Sequence, residues 1–209
     1  GNDPSTVFFN PAGISQLEGT QFMLGVTPIA PFTTFTNEDT EVPVGTSQGL
    51  AGTKTDTENQ VFFPPHLYLT HRYKDGVGIG LGLTSHFGLG TKWPENWAAR
   101  YISYKVDIKT LYLNPNIAVQ IQPGWILAAG LNYVYSTVDL KKKVYTTTPI
   151  DDDLHLKDVD GDGWGYNLGM LVRLTPNNTL GVSFRSPVKI HYEGDADFTS
   201  PVLTLPDTT

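Results

Sequence analysis

The sequence predicts an all-β protein, specifically a transmembrane antiparallel β-barrel, and three observations lead to this prediction. Large apolar residues alternate with small or polar residues over most of the chain, which is the two-residue period of a β-strand. Short turn segments alternate with long polar segments, as they do in outer-membrane barrels. No apolar run reaches the roughly 18 residues of a membrane-spanning helix, so strands would have to cross the membrane.

The composition argues against several other classes of protein. The chain has 209 residues, a net charge of −7 and no cysteine. An acidic chain with scattered Lys and Arg residues has no surface for nucleic acid, and the lack of cysteine excludes disulfide frameworks and thiolate metal sites. The five histidines are not spaced as metal ligands, so we predict no metal site and no cofactor. A signal peptide, if there is one, is expected to lie outside this sequence.

Strand positions follow from the alternation, which is clearest between residues 164 and 174. The large apolar side chains that would share one face there are Trp164, Tyr166, Leu168, Met170, Val172 and Leu174. The same pattern predicts seven strands, near residues 20–35, 61–73, 77–87, 101–122, 125–140, 164–174 and 178–193. An eighth strand would begin near Val202. The phase of the alternation changes at Asn114 and Pro115, which predicts a bulge or an irregular pairing there.

The predicted connections alternate between tight turns and long polar loops. Turn-forming residues predict tight turns at 74–76, 122–124 and 175–178. The long polar stretches are residues 36–60, 88–100 and 141–163. Short turns are periplasmic in outer-membrane barrels, so we expect the long loops to lie outside the cell.

Two further patterns favour a membrane barrel over the alternative, a soluble barrel or sandwich. Aromatic residues stand at predicted strand ends, as in the aromatic girdle of a membrane barrel: Tyr73, Trp125, Trp164 and Tyr192. The polar rows carry few charges in mid-strand, and Gly78, Gly80 and Gly82 would give a smooth inner face for close packing. Seven strands and the start of an eighth do not close a bacterial barrel, so we predict that the sequence is part of a longer chain.

Five segments, in this order along the chain, resemble the FadL/TodX family of outer-membrane transporters for long-chain fatty acids and aromatic hydrocarbons. They are residues 3–13 with Asn10, Pro11 and Ala12, residues 85–101, residues 113–118, residues 161–169 and residues 184–189. The resemblance implies a fourteen-stranded barrel that is blocked by a small N-terminal hatch. Residues 1–19 would then form the end of the hatch, and residues 20–209 the N-terminal half of the barrel.

The resemblance also implies passive transport of a hydrophobic ligand, which would leave sideways beside an inward kink in the third strand. We expect the kink at residues 85–90, where Gly88 and Gly90 tolerate unusual dihedral angles. The residues expected at the hatch and lateral gate are Asn10, Pro11, Ala12, Val61, Ser85, His86 and Gly88, with Asn10 in contact with the kink. The residues expected to bind the ligand or line its path are Phe8, Phe9, Phe87, Leu89, Trp93, Trp97 and Lys142. Lys142 would hold a ligand carboxylate.

The expected setting is a single multi-pass barrel in the Gram-negative outer membrane, in contact with its lipid and lipopolysaccharide. The predicted ligand is a fatty acid or an aromatic hydrocarbon. We predict no enzymatic activity, because no catalytic constellation appears. An outer-membrane barrel enzyme and a structural or adhesive barrel are the alternatives. Residues 158–163 resemble the start of a calcium loop, but Gly169 stands where that loop requires Glu, so we interpret them as a solvated acidic loop.

Overall fold

The computed structural model describes residues 3–38, 52–145 and 151–199. The N-terminal segment holds a short helix, α1 (Thr6–Phe9), and a 3-10 helix (Pro11–Gln16). Strands make up most of the other described residues: β1 (Thr20–Val26), β2 (Thr34–Thr36), β3 (Lys54–Asp56), β4 (Pro65–Lys74), β5 (Val77–Thr84), β6 (Gly88–Lys92), β7 (Lys105–Gln122), β8 (Trp125–Val144), β9 (Asp152–Thr175), β10 (Asn178–Arg185) and β11 (His191–Thr199). Neither helix in this part of the chain has the length and apolar character needed to cross a membrane.

Nine of these strands form one antiparallel sheet in the order β1-β4-β5-β7-β8-β9-β10. Strand β6 pairs with β7 beyond the end of β5, and β11 pairs with β9 beyond the end of β10. The nine strands therefore occupy seven positions across the sheet, which agrees with the seven predicted strands. Strands β2 and β3 pair in a separate two-stranded sheet, in which β2 lies at the start of the predicted loop 36–60 and β3 lies within it.

The tight turns lie where they were predicted, and glycine is required in two of them. Gly76 joins β4 to β5 with φ of 75°, and Gly124 joins β7 to β8 with φ of 82°. These dihedrals are in the left-handed region, which a residue without a Cβ adopts at low cost. The prediction of long loops was less accurate, because 88–100 contains β6 and most of 141–163 is strand. The predicted eighth strand near Val202 lies outside the described residues.

Of the two expectations for Asn114 and Pro115, the bulge was wrong, whereas the pairing is irregular because neither residue pairs with β8. Leu113 pairs with Tyr133 and Asn116 with Gly130, so the register of β7 and β8 continues unchanged past the proline. A bulge occurs in β9 instead, where the extra residue coincides with Asp158 at φ of 51°. The acidic run 158–163 is therefore part of a strand and not a solvated loop.

The sheet has an inner face, which carries the N-terminal segment, and an outer face. The outer row of β8 is apolar from Trp125 to Tyr135 and continues with Thr137, Asp139 and Lys141. The paired strand β7 changes at the same height, because Lys109 lies opposite Thr137. The apolar stretch 125–135 matches the roughly 9–11 residues that a tilted strand needs to cross a bilayer. Strands β7, β8 and β9 continue beyond this band.

Three of the four predicted girdle residues lie on the outer face. Tyr73, Trp125 and Trp164 are exposed there. The prediction for Tyr192 was wrong, because Tyr192 lies opposite Gly161 in the inner row and its hydroxyl bonds to Ser136 Oγ at 2.9 Å. The alternation of residues did not predict the inward position of Tyr192, because residues 186–190 belong to no strand and the phase of the alternation is not kept between β10 and β11.

The N-terminal segment packs on the glycine row of β5, as the smooth inner face predicted. Val7 and Ile14 are fully buried there. A Cβ on Gly80 would lie 2.7 Å from Ile14 Cδ1 and 2.8 Å from Val7 Cγ2, closer than normal side-chain contacts. Gly78 is similarly covered by Ile14, so glycine is the residue type that permits this close approach.

Candidate functional site

The third position of the sheet is interrupted between β5 and β6. Residues 85–87 belong to no strand, although β5 before them and β6 after them both pair with β7. On the other side, the Ser85 amide donates to the Pro65 carbonyl at 3.3 Å, and the next backbone bond runs from Glu58 to Lys92 at 2.7 Å. Strand pairing lapses between these two bonds in the described part of the chain. We call this opening, bounded by residues 58–65 and 85–92, the window.

The kink at residues 85–87 is held by contacts to β7 and not by unusual glycine dihedrals. The Thr110 hydroxyl accepts from the Phe87 amide at 3.3 Å and also donates to the Phe87 carbonyl. Gly88 and Gly90 are absent from the described glycines with positive φ, so the expectation of unusual dihedrals was wrong. Their role is close approach, because a Cβ on Gly90 would overlap the ring of Phe62.

A cavity of about 580 Å³ adjoins the window. Ser85, His86 and Gly88 line it from the kink, and Phe62 and Tyr135 contribute apolar surface. The charged residues Asp107 and Lys109 also line it, and their side chains pair with each other at 3.0 Å. The volume is within the range of roughly 300–1,000 Å³ that small-molecule sites occupy. The cavity can therefore accept a small or slender apolar molecule.

His86 projects from the kink to the N-terminal segment. The rings of His86 and Phe8 are stacked, with centroids 3.8 Å apart and an interplanar angle of 25°. His86 Nε2 lies 2.5 Å from Thr84 Oγ1, which fixes the imidazole from its own strand. The Phe8 ring thus covers the kink from the inner face of the sheet.

Asn10 joins the two helices, and Pro11 and Ala12 begin the 3-10 helix. The Asn10 side chain accepts from the Ala12 amide at 3.1 Å and caps the 3-10 helix, in which Pro11 takes the first position. Its amide nitrogen donates to the carbonyls of Met170 in β9 and Val182 in β10. Asn10 was expected to contact the kink, but its side-chain hydrogen bonds go to β9 and β10 instead. Phe8 is the residue that contacts the kink, through His86.

Of the other predicted path residues, Phe9, Phe87, Trp93 and Trp97 do not line the cavity. Phe9 and Phe87 have side chains that are 68 % and 66 % exposed. Trp93 and Trp97 stack on each other at 4.2 Å in a buried cluster with Tyr104 and Phe35. Val61 is exposed beside Phe62, and Leu89 lies in β6 between the two glycines.

Lys142 lies beyond the membrane band near the end of β8, opposite Leu154. By strand alternation it continues the inner row of β8, whose members Val134 and Ser136 are fully buried. It is five residues past Thr137, the last β8 residue at the cavity, which is a distance of roughly 17 Å along a strand. The structure therefore places Lys142 on the inner face but not at the cavity.

A group of charged and aromatic residues holds the chain together near the ends of β8 and β9. Arg100 is buried and pairs with Asp151 at 2.9 Å, while Lys143 pairs with Asp153 at 2.8 Å. Burial of Tyr104, together with the negative charge of Asp153 beside it, raises the pKa of Tyr104 above its usual value. Tyr104 is therefore a neutral hydrogen-bond donor in this cluster.

Sequence reasoning missed several residues that shape the site. Phe62, Thr110 and Arg185 contact the window or Phe8, and they are distant from these partners along the chain. It also missed a network of buried amides on the inner face, formed by Asn114, Asn116, Asn132 and Asn167. These asparagines lie at matching heights in the inner rows of β7, β8 and β9. Once the strands are aligned in register, their positions in the sequence would have predicted the network.

An antiparallel sheet with an apolar outer band of membrane width and a polar inner face defines an outer-membrane β-barrel protein. The family described as outer membrane protein transport protein (OMPP1/FadL/TodX) matches residues 1–203. The chain belongs to this family.

Curated relatives and solved structures agree with that assignment. The long-chain fatty acid transport protein of Escherichia coli O6:H1 is 26 % identical over 217 residues, which cover 93 % of this chain and 47 % of that protein. Outer membrane protein P1 of Haemophilus influenzae is 23 % identical, over 97 % of this chain and 50 % of its own length. The crystal structures of a Pseudomonas aeruginosa FadL homologue and of the Ralstonia pickettii toluene transporter TbuX both superpose with a TM-score of 0.73. They are 17 % and 16 % identical over 92 % and 95 % of this chain and 50 % and 57 % of their own.

The chain thus spans about half the length of the curated relatives it matches. The two crystal structures share its fold, an antiparallel β-barrel. The predicted family, fold class and outer-membrane location are confirmed by these matches.

Proposed function

We propose that the complete protein carries hydrophobic molecules passively across the outer membrane and releases them sideways through the window. The observation that carries this proposal is the interruption of the sheet at residues 85–87 beside a cavity whose walls are mostly apolar. Relatives are described as transporters of long-chain fatty acids and of toluene, so the ligand class is a fatty acid or an aromatic hydrocarbon. Both of these ligands partition from water into lipid.

Physical reasoning supports a lateral exit. Within lipid, unpaired backbone groups cost several kcal/mol each, so a strand leaves its ladder only where it lines a cavity. An apolar ligand that moves from the cavity into the bilayer keeps its apolar surface out of water. The break lies at the edge of the apolar band, between the pairs Thr84–Tyr112 and Gly88–Lys109. Such a break costs stability, and it would let an apolar ligand pass from the cavity into the bilayer.

We propose that residues 1–19 act as the hatch of the complete barrel and that residues 20–209 supply its N-terminal half. The tight packing of Val7 and Ile14 on the β5 glycines supports this role, as do the bonds from Asn10 to β9 and β10. Pro11 packs on Gly169 in the same way, so the segment rests on strands on both sides of the inner face.

The outer surface fits a barrel that stands alone in lipid. The apolar row of β8 ends at Tyr135, and Asp139 and Lys141 follow on the same face. The apolar part of this row can contact acyl chains, and the charged part that follows it can contact the charged head groups of lipopolysaccharide. Since the relatives are described as transport proteins and channels, we propose transport without enzymatic activity.

The test is the substitution Ser85→Arg in the full-length protein. A bulky charged side chain at the cavity wall disfavours passage of an apolar ligand, because it narrows the window and because desolvating a charge costs several kcal/mol. We expect uptake of labelled oleate or toluene by cells to be lost, while heat-modifiable migration of the folded barrel is retained.

Two matched controls accompany this test. Ile102→Arg adds the same side chain at a position that is 77 % exposed and outside the cavity, and Ser85→Ala removes only the hydroxyl. Both controls should take up ligand like the wild type at equal surface level. Undiminished uptake by the Ser85→Arg protein would exclude the window as the exit.

A further inference from the structure

Arg185, the last residue of β10, directs its guanidinium group to the N-terminal segment. Its Nη2 donates to the Phe8 carbonyl at 3.0 Å, and its guanidinium carbon lies 4.4 Å from the centroid of the Phe8 ring. Its Nη1 donates to Asn132 Oδ1 at 3.3 Å. The ion pairs of the described residues do not include Arg185. Its contacts are therefore with neutral groups, namely the Phe8 carbonyl and ring and the Asn132 side chain.

Phe8 connects two distant parts of the sheet. Its ring stacks on His86 in the kink, while Arg185 holds it from β10. Strands β7, β8 and β9 lie between those positions, which corresponds to four strand spacings or roughly 19 Å along the sheet. The contact of Phe8 with both sides therefore bridges the concave inner face.

We propose that Arg185 is a positioning residue that keeps Phe8 over His86 and so closes the route from the barrel interior to the window. Arg185 fixes the ring by a cation–π contact and the backbone by a hydrogen bond, so both parts of Phe8 are restrained. When Phe8 leaves, the inner side of His86 is uncovered and the cavity behind it becomes reachable. This role rests on the proposed transport function and adds the element that controls access to the exit.

Chemical labelling can test the position of Phe8 independently of transport. The chain has no cysteine, so a Ser85→Cys reporter places one thiol at the cavity wall in this half of the protein. The rate at which a water-soluble maleimide labels this thiol in the full-length protein reports access from the interior. Loss of a cation–π contact changes the open fraction by several-fold to about tenfold. We expect that increase in labelling rate for Arg185→Gln.

Three further variants separate positioning from a general effect on folding. Phe8→Leu keeps an apolar side chain and all charges but removes the ring, so it should raise labelling as Arg185→Gln does. Arg185→Lys keeps the cation and should restore most of the protection. Arg173→Gln removes a charge from an exposed residue of β9 and should leave the labelling rate unchanged.

The outcomes distinguish this proposal from the transport function. Equal labelling rates in the wild type, Arg185→Gln and Phe8→Leu proteins would overturn the positioning role, and so would an equal increase in Arg173→Gln. Uptake of oleate and toluene by the wild type is measured in parallel. Failure of that uptake would contradict the proposed function, while a higher labelling rate in both variants would still support closure by Phe8.

Discussion

At the kink, Thr110 supplies polar contacts that a neighbouring strand would otherwise supply. Its hydroxyl bonds to both backbone groups of Phe87, and the residue is only 8 % exposed. A strand that leaves its ladder inside a membrane has to find such partners, because buried backbone groups without them are costly. One side chain of β7 thus helps the third strand to remain bent, while Phe62 fills the space above Gly90.

Lys142 remains a prediction for the carboxylate of a fatty acid, and the structure suggests a sharp test. Lys142 continues the inner row of β8, whereas its neighbour Lys141 lies on the outer row with Asp139. Lys142→Ala should weaken oleate binding by about 2 kcal/mol, the scale of a hydrogen bond between charged groups. Titration calorimetry on the full-length protein in detergent gives the affinity.

Lys141→Ala is the matched control, since it removes the same side chain from the opposite face. It should leave oleate affinity unchanged, and toluene binding should not respond to either substitution. If Lys142→Ala binds oleate as tightly as the wild type, the carboxylate lies elsewhere.

At the scale of elements, the glycine row of β5 determines how closely the N-terminal segment docks. In the Gly80→Val protein the new side chain would meet Ile14 and Val7, which overpacks a filled interface and costs roughly 1–3 kcal/mol. We expect the amide hydrogens of residues 6–16 to exchange faster, by about tenfold for each 1.4 kcal/mol by which the substitution lowers the free energy of docking of this segment. Exchange mass spectrometry on the full-length protein measures this.

Ile79→Val provides the control, because Ile79 is exposed on the outer face of the same strand. Its effect on exchange of residues 6–16 should be negligible. Faster exchange throughout the sheet in the Gly80→Val protein, and not only in the N-terminal segment, would contradict a local docking role.

Elements with a strong two-residue period could be predicted from the sequence, and long-range contacts could not. The row of Gly78, Gly80 and Gly82 indicated close packing because small residues repeat on one face. Residues 141–163 were interpreted as a loop because their outer row is charged, although Leu154 and Leu156 alternate with polar residues as in a strand. A strand that protrudes into water needs no apolar outer row, so hydropathy does not mark it.

The contacts at the window are of another kind. Phe62 meets Gly90, and Phe8 meets both His86 and Arg185, across separations that no local pattern records. Family resemblance placed Asn10 at the kink, yet its hydrogen bonds go to β9 and β10. The site could therefore be located to within one strand, but its partners follow only from the folded sheet.

For the whole molecule, the outer face defines where the bilayer begins and ends. The apolar row of β8 from Trp125 to Tyr135 has the length of one crossing. The outer row of β7 becomes charged just beyond it, at Lys109, and that of β9 becomes charged two residues earlier, at Asp162 opposite Tyr135. Thr137 lies opposite Lys109 and Asp160, so charged neighbours mark the boundary on both sides. This boundary places the remaining length of β7, β8 and β9 outside the membrane.

Substitution of outer-face residues by arginine tests that boundary. Leu131 lies near the middle of the apolar row and is 55 % exposed, so Leu131→Arg should lower the free energy of folding into lipid vesicles by roughly 2–4 kcal/mol. Thr137→Arg, on the same strand and face, should cost only about 0–1 kcal/mol, because Thr137 lies at the interface and opposite Asp160, whose carboxylate can pair with the new charge. Urea titration of the full-length protein in vesicles gives both values. Equal costs at the two positions would contradict the boundary, since an arginine in hydrocarbon and an arginine among charged neighbours cannot be equally solvated.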